Sequence, residues 1–188
     1  AIFGYGYTNT NVSMTNLVSN TGVVSNDTTG VGTARVAPAA ATYGTDKAIF
    51  GFGITSVNVS ITNLVSNTGV VATDTAGVGT ARRYLAAAGY GTDKAIFGYG
   101  YTNTNVSMTN LVSNTGVVSS DTTGVGTGRN GSAAAGYGID KAIFGYGNAG
   151  APLYSLTNKV SNTGVVASDT TGVGTARYAL AAAGYSLT

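Results

Sequence analysis

The chain has 188 residues, a net charge of +2 and only 9% charged residues, with no Cys, His, Trp or Glu. An average soluble domain carries about 25% charged residues. Disulfides, Cys/His metal sites and Ser-His-Asp or Cys-His catalysis are excluded by the missing residue types. Apolar residues make up 43% of the chain at regular spacing, which predicts a folded core under a surface of hydroxyls and amides.

The chain begins in the motif AIFGYG at Ala1, and the same motif returns so that Phe3, Phe50, Phe97 and Phe144 lie 47 residues apart. SNTGVV recurs at Ser19, Ser66, Ser113 and Ser161, and a Gly-Val-Gly-Thr run at Gly30, Gly77, Gly124 and Gly172. The reading is one repeat domain over 1–188, with units 1–47, 48–94, 95–141 and 142–188, each starting at the second strand of a four-stranded element.

The third unit and the residues just before it show the predicted strands in order. An Ala/Gly-rich first strand, Ala86 to Tyr90, meets a turn at Gly91 to Lys94. The second strand is Ala95 to Tyr99, and the third covers about Val106 to Val112 on alternating apolar positions. A Ser-Asn-Thr-Gly turn then leads into a fourth strand at about Gly116 to Thr122. The last residues, Tyr185 to Thr188, follow another first strand, which is expected to pair with Ala1 to Tyr5 and close a ring.

Strands this short need neighbouring units to cover their faces. The expected fold class is all-β: a β-propeller of four-stranded antiparallel blades, with a β-solenoid as the competing architecture. The order of motifs resembles the kelch repeat, carried by RYALAAAGY at Arg177 to Tyr185, DKAIFGYG at Asp93 to Gly100 and NLVSNTGVV at Asn110 to Val118. The resemblance implies a propeller in which Arg35, Arg82, Arg129 and Arg177 tie one blade to the next. Near-identical, charge-poor units are also similar in style to phage virion and tail-associated propeller proteins.

Asp46, Asp93 and Asp140 recur in the first turn and are read as structural, because an Asp carboxylate bonds nearby backbone N–H groups. Asp27, Asp74, Asp121 and Asp169 recur late in the fourth strand. A lone carboxylate among hydroxyls is a poor cage for calcium, so no metal and no cofactor are expected. Gly-Val-Gly-Thr lacks the lysine and helix of a phosphate loop.

The units differ mainly in two connections. One follows the second strand, at Tyr7 to Asn11, Ile54 to Asn58, Tyr101 to Asn105 and Asn148 to Tyr154. The other follows the arginine, at Val36 to Pro38, Arg83 to Leu85, Asn130 to Ser132 and Tyr178 to Leu180. In an up-and-down blade both emerge on one face, where loops on a rigid scaffold recognise ligands. The candidate ligand residues there are Tyr7, Asn9, Asn11, Asn58, Tyr101, Asn103, Asn105, Asn148 and Tyr154, since flat aromatics beside amides suit a polyhydroxylated ligand.

Scattered cations give no nucleic-acid stripe, and no apolar run reaches the length that spans a bilayer. The expectation is a non-catalytic binding or attachment module at an extracellular or virion surface, taking a glycan or surface polymer. The alternative is a structural module that assembles with protein partners or as a homo-oligomer; an enzyme is the least favoured reading.

Overall fold

The computed structural model describes residues 1–185. It is all-β, with no helix among the described residues and four antiparallel sheets. The first sheet pairs β1 (Ile2–Tyr7) with β2 (Asn11–Leu17). The second orders β3 (Ala39–Tyr43), β4 (Lys47–Gly51) and β5 (Thr62–Val65). The third orders β6 (Ala86–Tyr90), β7 (Lys94–Gly98) and β8 (Thr109–Val112), and the fourth β9 (Ala133–Tyr137), β10 (Lys141–Asn148) and β11 (Leu153–Val160).

The register repeats from sheet to sheet. Ala40 lies opposite Phe50, Ala87 opposite Phe97 and Ala134 opposite Phe144. The small-residue strands also pack on one another in series, β3 on β6 and β6 on β9.

Two strand predictions are corrected. The third strand of the third unit begins at Thr109 and not near Val106. The preceding strand turns away at Tyr99 (φ 61) and Gly100 (φ 109), so the ladder breaks there. At the equivalent place in β1 and β10 the break is a bulge, between Gly4 and Gly6 and between Gly145 and Gly147, and pairing resumes beyond it.

The fourth strand is reduced to isolated bridges, Val112 with Val118 and Thr109 with Thr122. From Val112 back to Thr109 is three residues, while from Val118 to Thr122 is four, and the extra residue prevents a continuous ladder. The same mismatch occurs in the other three units.

Among the described residues the predicted closure does not form, residues 186–188 of the expected closing segment lying outside them. β1 pairs with β2 alone, and residues 181–185 belong to no strand. The first sheet therefore has two strands where each of the others has three.

Aromatic insertion joins successive sheets. Phe50 meets Tyr5 edge-on at 5.2 Å between ring centroids, Phe97 meets Phe52 at 5.2 Å and Phe144 meets Tyr99 at 5.1 Å. Each phenylalanine lies over a glycine of the preceding sheet. A Cβ on Gly51 would stand 2.8 Å from Phe97 Cζ, and one on Gly98 would stand 2.6 Å from Phe144 Cζ, so no larger residue fits beneath the ring.

Candidate functional site

The two variable connections of each repeat meet at one end of the sheets. Val36 bridges to Ile54, Arg83 to Tyr101 and Asn130 to Asn148, which brings the segment after the arginine beside the segment after the second strand.

The nine candidate ligand residues divide by what their side chains do. Asn11 Nδ2 donates to Thr55 O at 3.3 Å, and Asn58 Nδ2 to Thr102 O at 2.8 Å, so both amides hold the loop of the next unit. Asn105 Oδ1 accepts from Asn130 Nδ2 at 2.6 Å. Asn148 Oδ1 accepts from Gly150 N at 2.6 Å within its own turn. Tyr154 lies in β11 opposite Gly147 and is half-buried.

The rest face solvent more freely. Tyr7 closes β1 with 66% of its surface exposed, and Asn9 and Asn103 sit at exposed loop tips. Tyr101 is half-buried, with its ring 5.0 Å from the Arg83 guanidinium.

Sequence reasoning placed Arg83 and Tyr84 in a variable connection but did not name them as ligand residues. Arg83 donates from Nη1 to Asn58 Oδ1 at 3.0 Å and stands between the Tyr84 and Tyr101 rings. Tyr84 is half exposed. The available signal was Arg83 itself, a second consecutive arginine where the other units carry Val36, Asn130 and Tyr178. Together Tyr101, Arg83 and Tyr84 make an aromatic and cationic cluster.

The opposite end carries an open cavity of about 410 Å³ at the first turns, lined among others by Tyr43, Tyr90, Gly136, Lys94 and Asp140. These positions repeat with little change between units, unlike the loops at the variable end.

The arginines lie between sheets. Arg35, Arg82 and Arg129 are fully buried. Their guanidinium carbons stand 4.1, 4.3 and 4.0 Å from the ring centroids of Tyr5, Phe52 and Tyr99. Arg82 Nε donates to Tyr99 O at 2.9 Å and Nη2 to Asn110 Oδ1 at 2.6 Å; Arg35 and Arg129 repeat the pattern with Asn63 and Asn158. Burial pulls the Arg82 pKa down to about 10, which still leaves a cation at neutral pH. Arg177 also stacks, 4.2 Å from the Tyr146 centroid, but it is exposed.

The carboxylates that span sheets are Asp74, Asp121 and Asp169. Asp74 accepts from Thr33 Oγ1 at 2.6 Å and from Asn63 Nδ2 at 2.9 Å; Asp121 does so from Thr80 and Asn110, and Asp169 from Thr127 and Asn158. The carboxylates of Asp46, Asp93 and Asp140 instead pair with the adjacent Lys47, Lys94 and Lys141 at 2.9, 2.6 and 2.8 Å. Their tie to a neighbour runs through the backbone, with Gly44 N donating to Asp93 O and Gly91 N to Asp140 O, both at 2.7 Å.

Partial burial raises the pKa of Asp74, Asp121 and Asp169, but the hydrogen bonds from Thr and Asn outweigh it and hold all three below the usual carboxylate range. A folded pKa below the unfolded value of about 3.9 means that the stabilisation is complete above that value and is lost as pH falls through the folded one. Urea midpoints should thus be level from pH 7 to about 5 and fall below about pH 4. Asp121→Asn should flatten part of that fall; an unchanged acid limb would show that these carboxylates do not set it.

Among the described residues, no three metal-ligating side chains cluster. The chain matches no protein-family model and no curated protein sequence.

Proposed function

We propose that the chain is a non-catalytic recognition module whose sheets are the blades of a kelch-like propeller, and that its diversified end attaches to a glycan or surface polymer at an extracellular or virion surface. The observation that carries the reading is the meeting of the two variable connections at one end of an otherwise repeated scaffold. Loops there are fixed from unit to unit by Asn11 and Asn58 and within a unit by Asn130, so the exposed groups beside them are held in place before a ligand arrives.

The recognising groups are Tyr7, Tyr84 and Tyr101 as stacking surfaces, with Arg83, Asn9 and Asn103 as hydrogen-bonding partners. A tyrosine face covers the apolar side of a sugar ring while amides pair with its hydroxyls. The absence of a dense charged patch favours a neutral polymer over a sulfated or phosphorylated one.

The test is a glycan array followed by titration of the best neutral oligosaccharide. Tyr7→Ala combined with Tyr84→Ala should weaken binding at least tenfold, about 1.4 kcal/mol, with the thermal midpoint unchanged. An array with no neutral glycan bound, or a double variant that binds as well as the parent, overturns the reading. Protein assembly is the second reading, favoured by the exposed Phe3 of the first sheet and Arg177 beside the last.

A further inference from the structure

The three joints between successive sheets are copies of one interface, and each contains the same four elements. A phenylalanine inserts over a glycine and against an aromatic ring, as Phe97 does at Gly51 and Phe52. An arginine reaches an asparagine of the following sheet, as Arg82 reaches Asn110. A threonine two residues before that arginine bonds the following sheet's aspartate, as Thr80 bonds Asp121. The chain that leaves the arginine then adds a small-residue strand to the following sheet, as β6 does to β7.

The two outer faces of the molecule hold the halves of a fourth such joint, unjoined. On the first sheet, Phe3 is 62% exposed and Val24 is 53% exposed, although its counterparts Val71, Val118 and Val166 pack against the core. β1 lacks a strand on the side that β3, β6 and β9 occupy in the other sheets. Asn16 bonds Asp27 and Ser25 O through Nδ2, and among the described residues its Oδ1 has no partner and Asp27 no threonine partner.

The other outer face carries the complements. A cavity of about 230 Å³ opens beside Gly145, Tyr146, Ile143, Arg177 and Leu180. Among the described residues a Cβ on Gly145 would meet only Thr157, at 3.4 Å, and none of them fills the space that a phenylalanine fills at Gly51 and Gly98. Arg177 Nη1 bonds Thr175 O as its counterparts bond theirs, while among the described residues its Nε and Nη2 have no acceptor. Residues 181–185 are an unpaired Ala-Ala-Ala-Gly-Tyr, the same sequence as β6 and β9, and they already lie against Gly136.

We propose that this chain associates head to tail, the face beside Gly145 and Arg177 of one copy receiving the first sheet of a second copy through the interface its own sheets use three times. Phe3 of the second copy enters the cavity beside Gly145 and meets Tyr146 edge-on. Residues 181–184 add to β1 as an antiparallel strand. In the register of β6 on β7, Ala182 faces Phe3 and Ala181 faces Gly4. Arg177 donates to Asn16 Oδ1 and Tyr5 O, and Thr175 bonds Asp27.

The occupant is a second copy because the partner surface is specified residue by residue on this chain, and among the described residues of one copy Phe3, Arg177 and β1 remain unsatisfied. One position departs from the internal pattern. Lys159 replaces the leucine that Leu17, Leu64 and Leu111 place against Gly69, Gly116 and Gly164; in the proposed contact its methylene stem lies over Gly22 of the second copy, open among the described residues of one copy, while the ammonium reaches water. Such a heterologous contact closes into a ring or continues as a filament, according to its rotation.

Light scattering across about 1 to 200 μM protein tests this, a range that brackets the micromolar affinities of modest interfaces. The parent chain should form multiples of 18.6 kDa that grow with concentration. Phe3→Asp and Gly145→Ala should each weaken self-association at least tenfold while keeping the parent's circular dichroism and thermal midpoint in dilute solution, because Phe3 is exposed and Gly145 has room for a methyl group. Mixed one to one, the two variants should form a dimer that neither forms alone, since one retains an intact tail and the other an intact head. A parent chain that stays at 18.6 kDa throughout, self-association indifferent to both variants, or variants that stay apart on mixing would each overturn the proposal.

Discussion

Phe97→Ala is expected to destabilise the chain by about 3–5 kcal/mol, the usual cost of emptying a phenylalanine site in a packed interior. Phe97 is fully buried, crosses from its own sheet to the one before it, and closes over Gly51. Its loss leaves a void under Phe52 and removes an edge-to-face contact together with the buried area. For a chain of this size the drop corresponds to roughly 6–20 °C in thermal midpoint. Phe3→Ala removes the same residue from the same AIFG motif, yet in dilute solution it should shift stability by less than about 0.5 kcal/mol, as exposed positions do. Thermal unfolding followed by circular dichroism measures both. Equal losses would mean that Phe3 is as buried as Phe97 and that the first sheet is covered.

Arg82→Ala should cost a comparable amount, about 3–5 kcal/mol, for a different reason. Among the described residues the guanidinium is the only donor to Asn110 Oδ1, and it serves Tyr99 O at the same joint. Removing it strands buried acceptors and takes the cation off the Phe52 face. Arg82→Lys should fall between parent and alanine, because an ammonium on a flexible stem neither lies flat on the ring nor presents the planar fork that these separate oxygens require. Urea unfolding at pH 7 provides the comparison. A cost near 1 kcal/mol for Arg82→Ala would place the arginine's contribution at that of an exposed ion pair and remove it as the main tie between sheets.

Much of the local structure was legible because it is local. Ala86 to Tyr90 is a strand over the predicted residues, and the SNTGVV turn forms where its Ser and Gly place it, with Ser113 Oγ accepting from Val117 N at 3.1 Å and Gly116 at φ 86. The fourth strand failed because its alternation of residue types carries no information about the one extra residue that breaks its ladder. The candidate site was legible in outline, since differences between repeats mark which loops vary. It was not legible in detail: Asn11, Asn58 and Asn105 look as free as Asn9 and Asn103 until the neighbouring loop is in place.

The sequence by itself determined the 47-residue unit, the all-β class, the absence of His and Cys chemistry, and which residues recur at which step. Only the tertiary structure separated identical residues by circumstance. Arg82 is buried and Arg177 exposed, Phe97 is covered and Phe3 bare, and β4, β7 and β10 each have two strand neighbours where β1 has one. The reason is that a repeat encodes both halves of an interface in every unit, while burial requires the following unit to be present, and a linear pattern does not record which unit stands at an edge.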